Sequence, residues 1–205
     1  MHKGDHETDT NVGVGTVSTA DSIATHIQKA AKGRGPAPVH LWNPPFCGDL
    51  DMRIARDGTW FYLGTPIGRM PLVKLFSSVL KKEDGKYFLV TPVEKVGIRV
   101  EDAPFVAVDF QVHGEGRDQE ITFLTNVDEE AVAGRDHPIR VVRDAETGEP
   151  SPYVMIRSGL EALIDRKSFY RLVEICCEEE IDGTSQFGLW SGGVFWPFIP
   201  AKELA

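Results

Sequence analysis

The stretch DLDMRIARDGTWFYL, Asp49–Leu63, decides the fold class. Leu50, Met52 and Ile54 point one way along an extended chain, and Asp49, Asp51 and Arg53 point the other. Asp57-Gly58 is a hairpin turn signal, and the aromatic-rich run Thr59–Leu63 returns beside the first strand. A strand, a tight turn and a partner strand with one apolar face describe an antiparallel sheet lying on a core.

The same grammar continues downstream. Arg69–Lys82 reads as a helix, with Leu72, Val73, Leu75, Phe76, Val79 and Leu80 on one face and Pro71 in its first turn. Asp84-Gly85 turns the chain into a strand at Tyr87–Val90, and Thr91-Pro92 breaks it. Further strands are expected at Glu94–Glu101, Phe105–His113 (Val106, Val108 and Phe110 on one face), Glu120–Thr125, Ile139–Val142, Tyr153–Ile156 and Leu160–Ile164. Asp165 caps a helix expected from Arg166 to Glu179, with Glu178–Glu180 as its solvated end. Phe187–Trp190 and Val194–Phe198 form a closing hairpin around Ser191-Gly192-Gly193.

Upstream, Thr19–Lys32 reads as a short helix with a thin stripe of Ile23, Ile27 and Ala30, stopped by Gly33. Residues 32–38 resemble a linker. The resulting architecture is α+β: two small domains of mainly antiparallel sheet with a few packed helices and a cleft between them. The expected division is a tail at 1–18, an N-terminal domain at 19–93 and a C-terminal domain at 94–205, with no internal repeat evident.

Composition excludes several functions. The chain has 205 residues, 22 Lys and Arg against 31 Asp and Glu, and a net charge of −9. Such a chain repels a phosphate backbone, so no nucleic-acid partner is expected. No apolar run approaches the ~20 residues of a spanning helix, and no membrane partner is expected. The polar start lacks the apolar core of a secretory signal, which makes the cytoplasm the expected location. Three cysteines without a CxxC spacing support neither a zinc ribbon nor a thioredoxin motif.

The motifs are weak in catalytic terms. Gly13-x-Gly15 lacks the strand, third glycine and Lys-Ser/Thr of a phosphate loop. Ser191 follows Trp190 rather than a glycine, so it is not a nucleophile elbow. Asp49, Asp51 and Arg53 on one strand face are either a solvated, ion-paired surface or a metal or general acid/base site. No catalytic residue, metal ligand or cofactor is assigned. Thr91-Pro-Val-Glu-Lys95 crowds polar groups where the chain changes direction, as the lip of a cleft would.

Long strings also resemble a bacterial family. GDLDMRIARDGTWFYLGTPIGR, LVKLF and YFLVTPVEKVGIRVEDAPFVAVD occur in order, followed by Thr125-Asn126, His137-Pro138, PYVMIRSGLEALIDR, FYRLVE and LWSGG. Together they resemble domain-of-unknown-function family 1285 over roughly Trp42–Phe195. The resemblance implies two small α+β domains in a cytoplasmic bacterial protein, and no established reaction or catalytic residue. It suggests a cleft suited to a small nucleotide-like ligand and a signalling role.

The leading functional expectation is therefore a regulatory protein that binds a small anionic, nucleotide-like ligand between its domains. Arg69, Lys95 and Arg157 would supply cations, Glu94, Asp102 and Asn126 polar partners, and Trp190 a stacking face. On this reading Arg157→Ala and Lys95→Ala remove anion binding and spare the fold. Two alternatives stand beside it. One is a protein-interaction module or homodimeric scaffold without catalysis. The other is a hydrolase or isomerase using Asp49, Asp51 or Glu94.

Overall fold

The computed structural model describes residues 18–30 and 37–203. The tail expected at 1–18, apart from Ser18, and residues 31–36 of the expected helix end and linker, Gly33 included, lie outside the described residues. Helix α1 spans Ala20–Ala30. Thr19 and Ser22 cap it reciprocally: the Ser22 amide donates to Thr19 Oγ1 (3.2 Å), and the Thr19 amide donates to Ser22 Oγ (3.0 Å). Ile23 and Ile27 are fully buried beneath it.

The first sheet is built from β1 (Phe46–Ile54), β2 (Trp60–Tyr62), β3 (Thr65–Pro66), β4 (Leu80–Glu83), β5 (Lys86–Val90) and β6 (Lys95–Val100). Helix α2 (Met70–Ser77) joins β3 to β4. The strand order is β3-β2-β1-β6-β5-β4. The neighbours pair antiparallel except β1 and β6, which run parallel. Leu50, Met52, Ile54, Trp60, Leu89 and Val96 bury one face, with Val73 and Phe76 of α2 in the same core. Trp60 stacks on Phe76 with ring centroids 6.3 Å apart.

The helix expected to run to Lys82 stops five residues early, at Ser77. Ser77 Oγ donates to the Lys74 carbonyl and Ser78 Oγ to the Leu75 carbonyl, which caps the last turn. Leu80–Glu83 then pairs with Lys86–Val90 across Asp84-Gly85, both in the left-handed region (φ 48° and 78°) that a two-residue hairpin turn requires.

The second sheet contains β7 (Phe105–His113), β8 (Glu120–Thr125), β9 (Glu130–Val132), β10 (Ile139–Arg143), β11 (Pro150–Arg157) and β12 (Leu160–Ile164). Its order is β10-β11-β12-β7-β8-β9, with β12 and β7 parallel at the centre. Traced along the chain, the connectivity is that of the first sheet. Three strands meander outward, three meander back, and the sixth lies parallel to the first. The repeat is one of topology, invisible to a search for similar residues.

The alternation expected in β7 is interrupted. Phe105, Val106 and Ala107 are all buried, because Val106 faces Gly58 of the first sheet, and a register shift follows Ala107. Helix α3 (Arg166–Glu174) starts where Asp165 accepts from the Ser168 amide (2.7 Å). It ends five residues before the expected Glu179. Cys177–Ile181 is instead strand β13, which pairs with β14 (Thr184–Ser191), itself paired with β15 (Val194–Pro200). The glutamate run is thus an edge strand whose side chains reach water.

The architecture is α+β with two domains, as expected. The boundary expected between 93 and 94 falls inside the first sheet, since β6 pairs there with both β1 and β5. The sheets change over between Glu101 and Pro104. Buried apolar side chains of both sheets form one continuous cluster. Among the described residues, no helix is long and apolar enough to cross a membrane.

Candidate functional site

The seam between the sheets is held by polar side chains. Asn126, after β8, accepts from the Val106 amide (3.1 Å) and donates to the Gly58 carbonyl (3.4 Å). Asp102 accepts from the Tyr153 hydroxyl (2.8 Å) and lies 3.2 Å from Arg56 Nε. Burial, and then this bond to Asp102, push the Tyr153 hydroxyl's pKa up. Arg157, at the end of β11, forks Glu129 through Nε (2.8 Å) and Nη2 (3.2 Å). Its Nη2 also donates to the Ser77 carbonyl (2.6 Å) and its Nη1 to the Leu80 carbonyl (3.4 Å). Asp102, Asn126 and Arg157 therefore each tie one domain to the other. Arg157 thus carries interdomain hydrogen bonds that the fold-neutral expectation for its substitution did not include.

The other expected site residues lie apart. Arg69 is exposed at the start of α2. Glu94 is buried and accepts from Ser18 Oγ (2.6 Å) and pairs with His26 Nδ1 (2.5 Å), which fastens α1 to the first domain. Lys95 pairs with Glu83 (2.8 Å) and sits over the Phe88 ring. Hydrogen bonds from Lys81 and then Lys95 hold the Glu83 carboxyl below the ordinary range. Trp190 lies in the third sheet, where its indole donates to Glu179 (3.0 Å) and Arg117 covers its ring. The structure does not gather these groups into one site.

Two motif strings turn out to be stitching. Ser191 Oγ donates to the Ala133 carbonyl (2.8 Å) and accepts from the Ile121 amide (2.9 Å), sewing the third sheet to the second. A Cβ at Gly192 would lie 2.7 Å from the Ala133 oxygen. His137 Nδ1 lies 3.0 Å from the Met155 carbonyl. Asp49 and Asp51 are exposed on the first sheet, Asp49 lying against Gly97. Among the described residues, no group of three or more His, Cys, Asp or Glu side chains is placed to hold a metal ion.

A cavity of about 710 Å³ opens along the seam. Its walls come from both domains: Lys74, Lys81 and Lys82 on one side, Glu129, Glu130 and Arg157 on the other, with His40 at the rim. Only Arg157 among the expected residues lines it. The lysines were missed because Lys81-Lys82 reads as the end of a helix, where two cations complement the dipole. Lys81 pairs with Glu83 (2.8 Å), while Lys82 packs over the Tyr87 ring without a carboxylate partner among the described residues. The lining thus carries more cations than carboxylates in a chain of net charge −9.

Comparison with known proteins agrees with the two-domain layout. Residues 37–103 match the family model described as "Domain of unknown function (DUF1285), N-terminal domain". Residues 104–198 match "Protein of unknown function (DUF1285), C-terminal domain". No curated protein matches this chain. A crystal structure of a DUF1285 family protein from Silicibacter pomeroyi DSS-3 is 60% identical, with a TM-score of 0.81, covering 91% of this chain and 98% of that one. Another, from Shewanella baltica OS155, is 31% identical with a TM-score of 0.49 and covers 61% and 91%. With both domain models matched in succession and a relative this similar over nearly its whole length, the chain belongs to the DUF1285 family.

Proposed function

We propose that this chain is a cytoplasmic regulatory protein that binds a small anionic, nucleotide-like ligand in the groove between its two sheets. The observation that carries the reading is the gathering of four cations in that groove, of which Lys82 has no carboxylate partner among the described residues. Lys74, Lys81, Lys82 and Arg157 face Glu129 and Glu130 in a protein that is acidic overall. A concave lining with a few convergent charges is what small-ligand sites share. Both domains contribute walls, so a bound ligand would stiffen the seam and report its presence through domain mobility. Of the residues expected from sequence, Arg157 is retained for this role.

Thermal unfolding against nucleotides, sugar phosphates and divalent metals tests the reading. A ligand at a hundredfold excess over its Kd adds about 2.7 kcal/mol to stability. The expected result is a rise in Tm with phosphate-bearing ligands that Lys82→Glu removes. The absence of any such rise overturns it.

A second reading, an interaction module or homodimer, is favoured by one patch. Phe46 is 55% exposed and stands edge-on to Phe88 at 6.1 Å, and Val93 is 57% exposed. Gel filtration with light scattering at rising concentration separates monomer from dimer, and Phe46→Ser removes the association on this reading.

A further inference from the structure

The groove's seam cations already hold anions. The turn between β8 and β9 directs two successive carboxylates at them. Asp128 pairs with Lys74, and Glu129 forks Arg157. The turn is stiffly built. The Glu129 amide donates to Thr125 Oγ1 (2.9 Å), the Thr125 amide donates to the Glu129 carbonyl (2.9 Å), and the Asp128 amide donates to the Thr125 carbonyl (3.0 Å). Asp128 sits in the left-handed region at φ 62°. Asn126, in the same turn, is pinned to Val106 and Gly58.

Arg157 is positioned independently of Glu129, because the Ser77 and Leu80 carbonyls hold its Nη2 and Nη1. A guanidinium has five N–H donors. With Glu129 in place the Nε–Nη2 edge is filled; with Glu129 gone that edge would remain oriented and open. A planar fork of this kind matches phosphate as well as carboxylate, and a lysine beside it serves as a point charge.

We infer that the β8–β9 turn is an internal stand-in for the ligand, and that the ligand carries a diphosphate whose two linked anionic groups displace Asp128 from Lys74 and Glu129 from Arg157. The inference rests on the anion-binding reading above and adds its ligand class and its restraint. Lys82, with no carboxylate partner among the described residues, offers a landing point for the incoming charge before the two pairs open.

Calorimetric titration of the full chain with inorganic pyrophosphate and with orthophosphate tests this, using the wild type, Glu129→Gln and Asp128→Asn. Pyrophosphate should bind more tightly than orthophosphate, and each substitution should tighten pyrophosphate binding at least about tenfold. A wild type that binds pyrophosphate while the variants bind it no better overturns the stand-in and leaves the turn as a clasp. Equal affinity for the two anions overturns the diphosphate assignment. If Glu129→Gln fails to fold, Asp128→Asn decides alone, since that carboxylate is 68% exposed and costs the fold little. Silence from all three chains with every phosphate overturns the anion-binding reading itself.

Discussion

Asn126 lies so close over Gly58 that a methyl group added to the glycine would sit 2.6 Å from the asparagine amide nitrogen. The two residues belong to different domains, and the contact locks the β1–β2 turn beneath the second sheet. Gly58 also has φ +83°, a conformation unfavourable to side chains. Gly58→Ala should therefore destabilise the protein by about 2–3 kcal/mol. Asn126→Ala, which orphans the Val106 amide, should cost about 1–3 kcal/mol. Urea unfolding checks both, and wild-type midpoints would remove the seam from the stability argument.

Glu94 is fastened by side chains from one segment, Ser18 and His26, so its removal should loosen α1 selectively. In Glu94→Ala, amide exchange at Ile23 and Ile27 should accelerate roughly tenfold to a hundredfold, at 1.4 kcal/mol per decade. Amides of β7 and β8 should keep wild-type protection. Uniform acceleration across the molecule would place Glu94 in global stability instead.

Acid should destabilise the fold through identifiable carboxylates. Glu83 is held low by Lys81 and Lys95, Asp109 by Arg171, Glu101 by Arg53, Asp57 by the Thr59 backbone amide and hydroxyl, and Asp144 by those of Thr147. A carboxyl with a depressed folded pKa stabilises fully above its unfolded value. That contribution is lost as pH falls through the folded value. Stability should hold down to about pH 4 and fall below it. Glu83→Gln should make the acid limb shallower in urea melts taken from pH 6 to pH 2; an unchanged limb would show that the Lys81–Glu83–Lys95 group does not contribute.

Cys176 should be chemically silent in the native protein. Burial, and then the neighbouring Cys177, push its thiol up to about 12, and its Sγ donates to the Leu172 carbonyl (3.3 Å). Only a thiolate is alkylated at useful rates. Iodoacetamide at pH 8 followed by mass spectrometry should leave Cys176 unmodified until urea is added. Native labelling as fast as that in urea would show that the end of α3 opens readily.

Most strands and the starts of the three helices were legible, because alternation and caps are local signals. Asp49–Ile54, Phe105–His113 and Leu160–Ile164 carry the period or apolar run of strands, and Asp165 caps as its sequence position suggests. The helix ends were not legible. Lys81-Lys82 suits a helix C-terminus by composition, and Glu178–Glu180, though of the wrong sign for the helix dipole, read as a solvated end; only the pairing partner makes them strands. Asp182-Gly183 was a missed clue, since its φ values of 50° and 74° make it the same hairpin signal as Asp84-Gly85. The candidate groove was the least legible. Charged residues inside apolar strings marked the seam at Asp102, Asn126 and Arg157, but whether such a group meets a ligand or another domain depends on contacts distant in sequence.

The central parallel pairs have a kinetic consequence. Each six-stranded sheet consists of two local meanders, but they are joined only when the first strand meets the sixth: Phe46 with Lys95, and Phe105 with Ala162. Hairpins close in microseconds, whereas long loops must lose chain entropy before any contact rewards them. Each half of the molecule should therefore assemble from its flanks and seal at its middle, and the sealing step, repeated twice along the chain, should set the pace of folding.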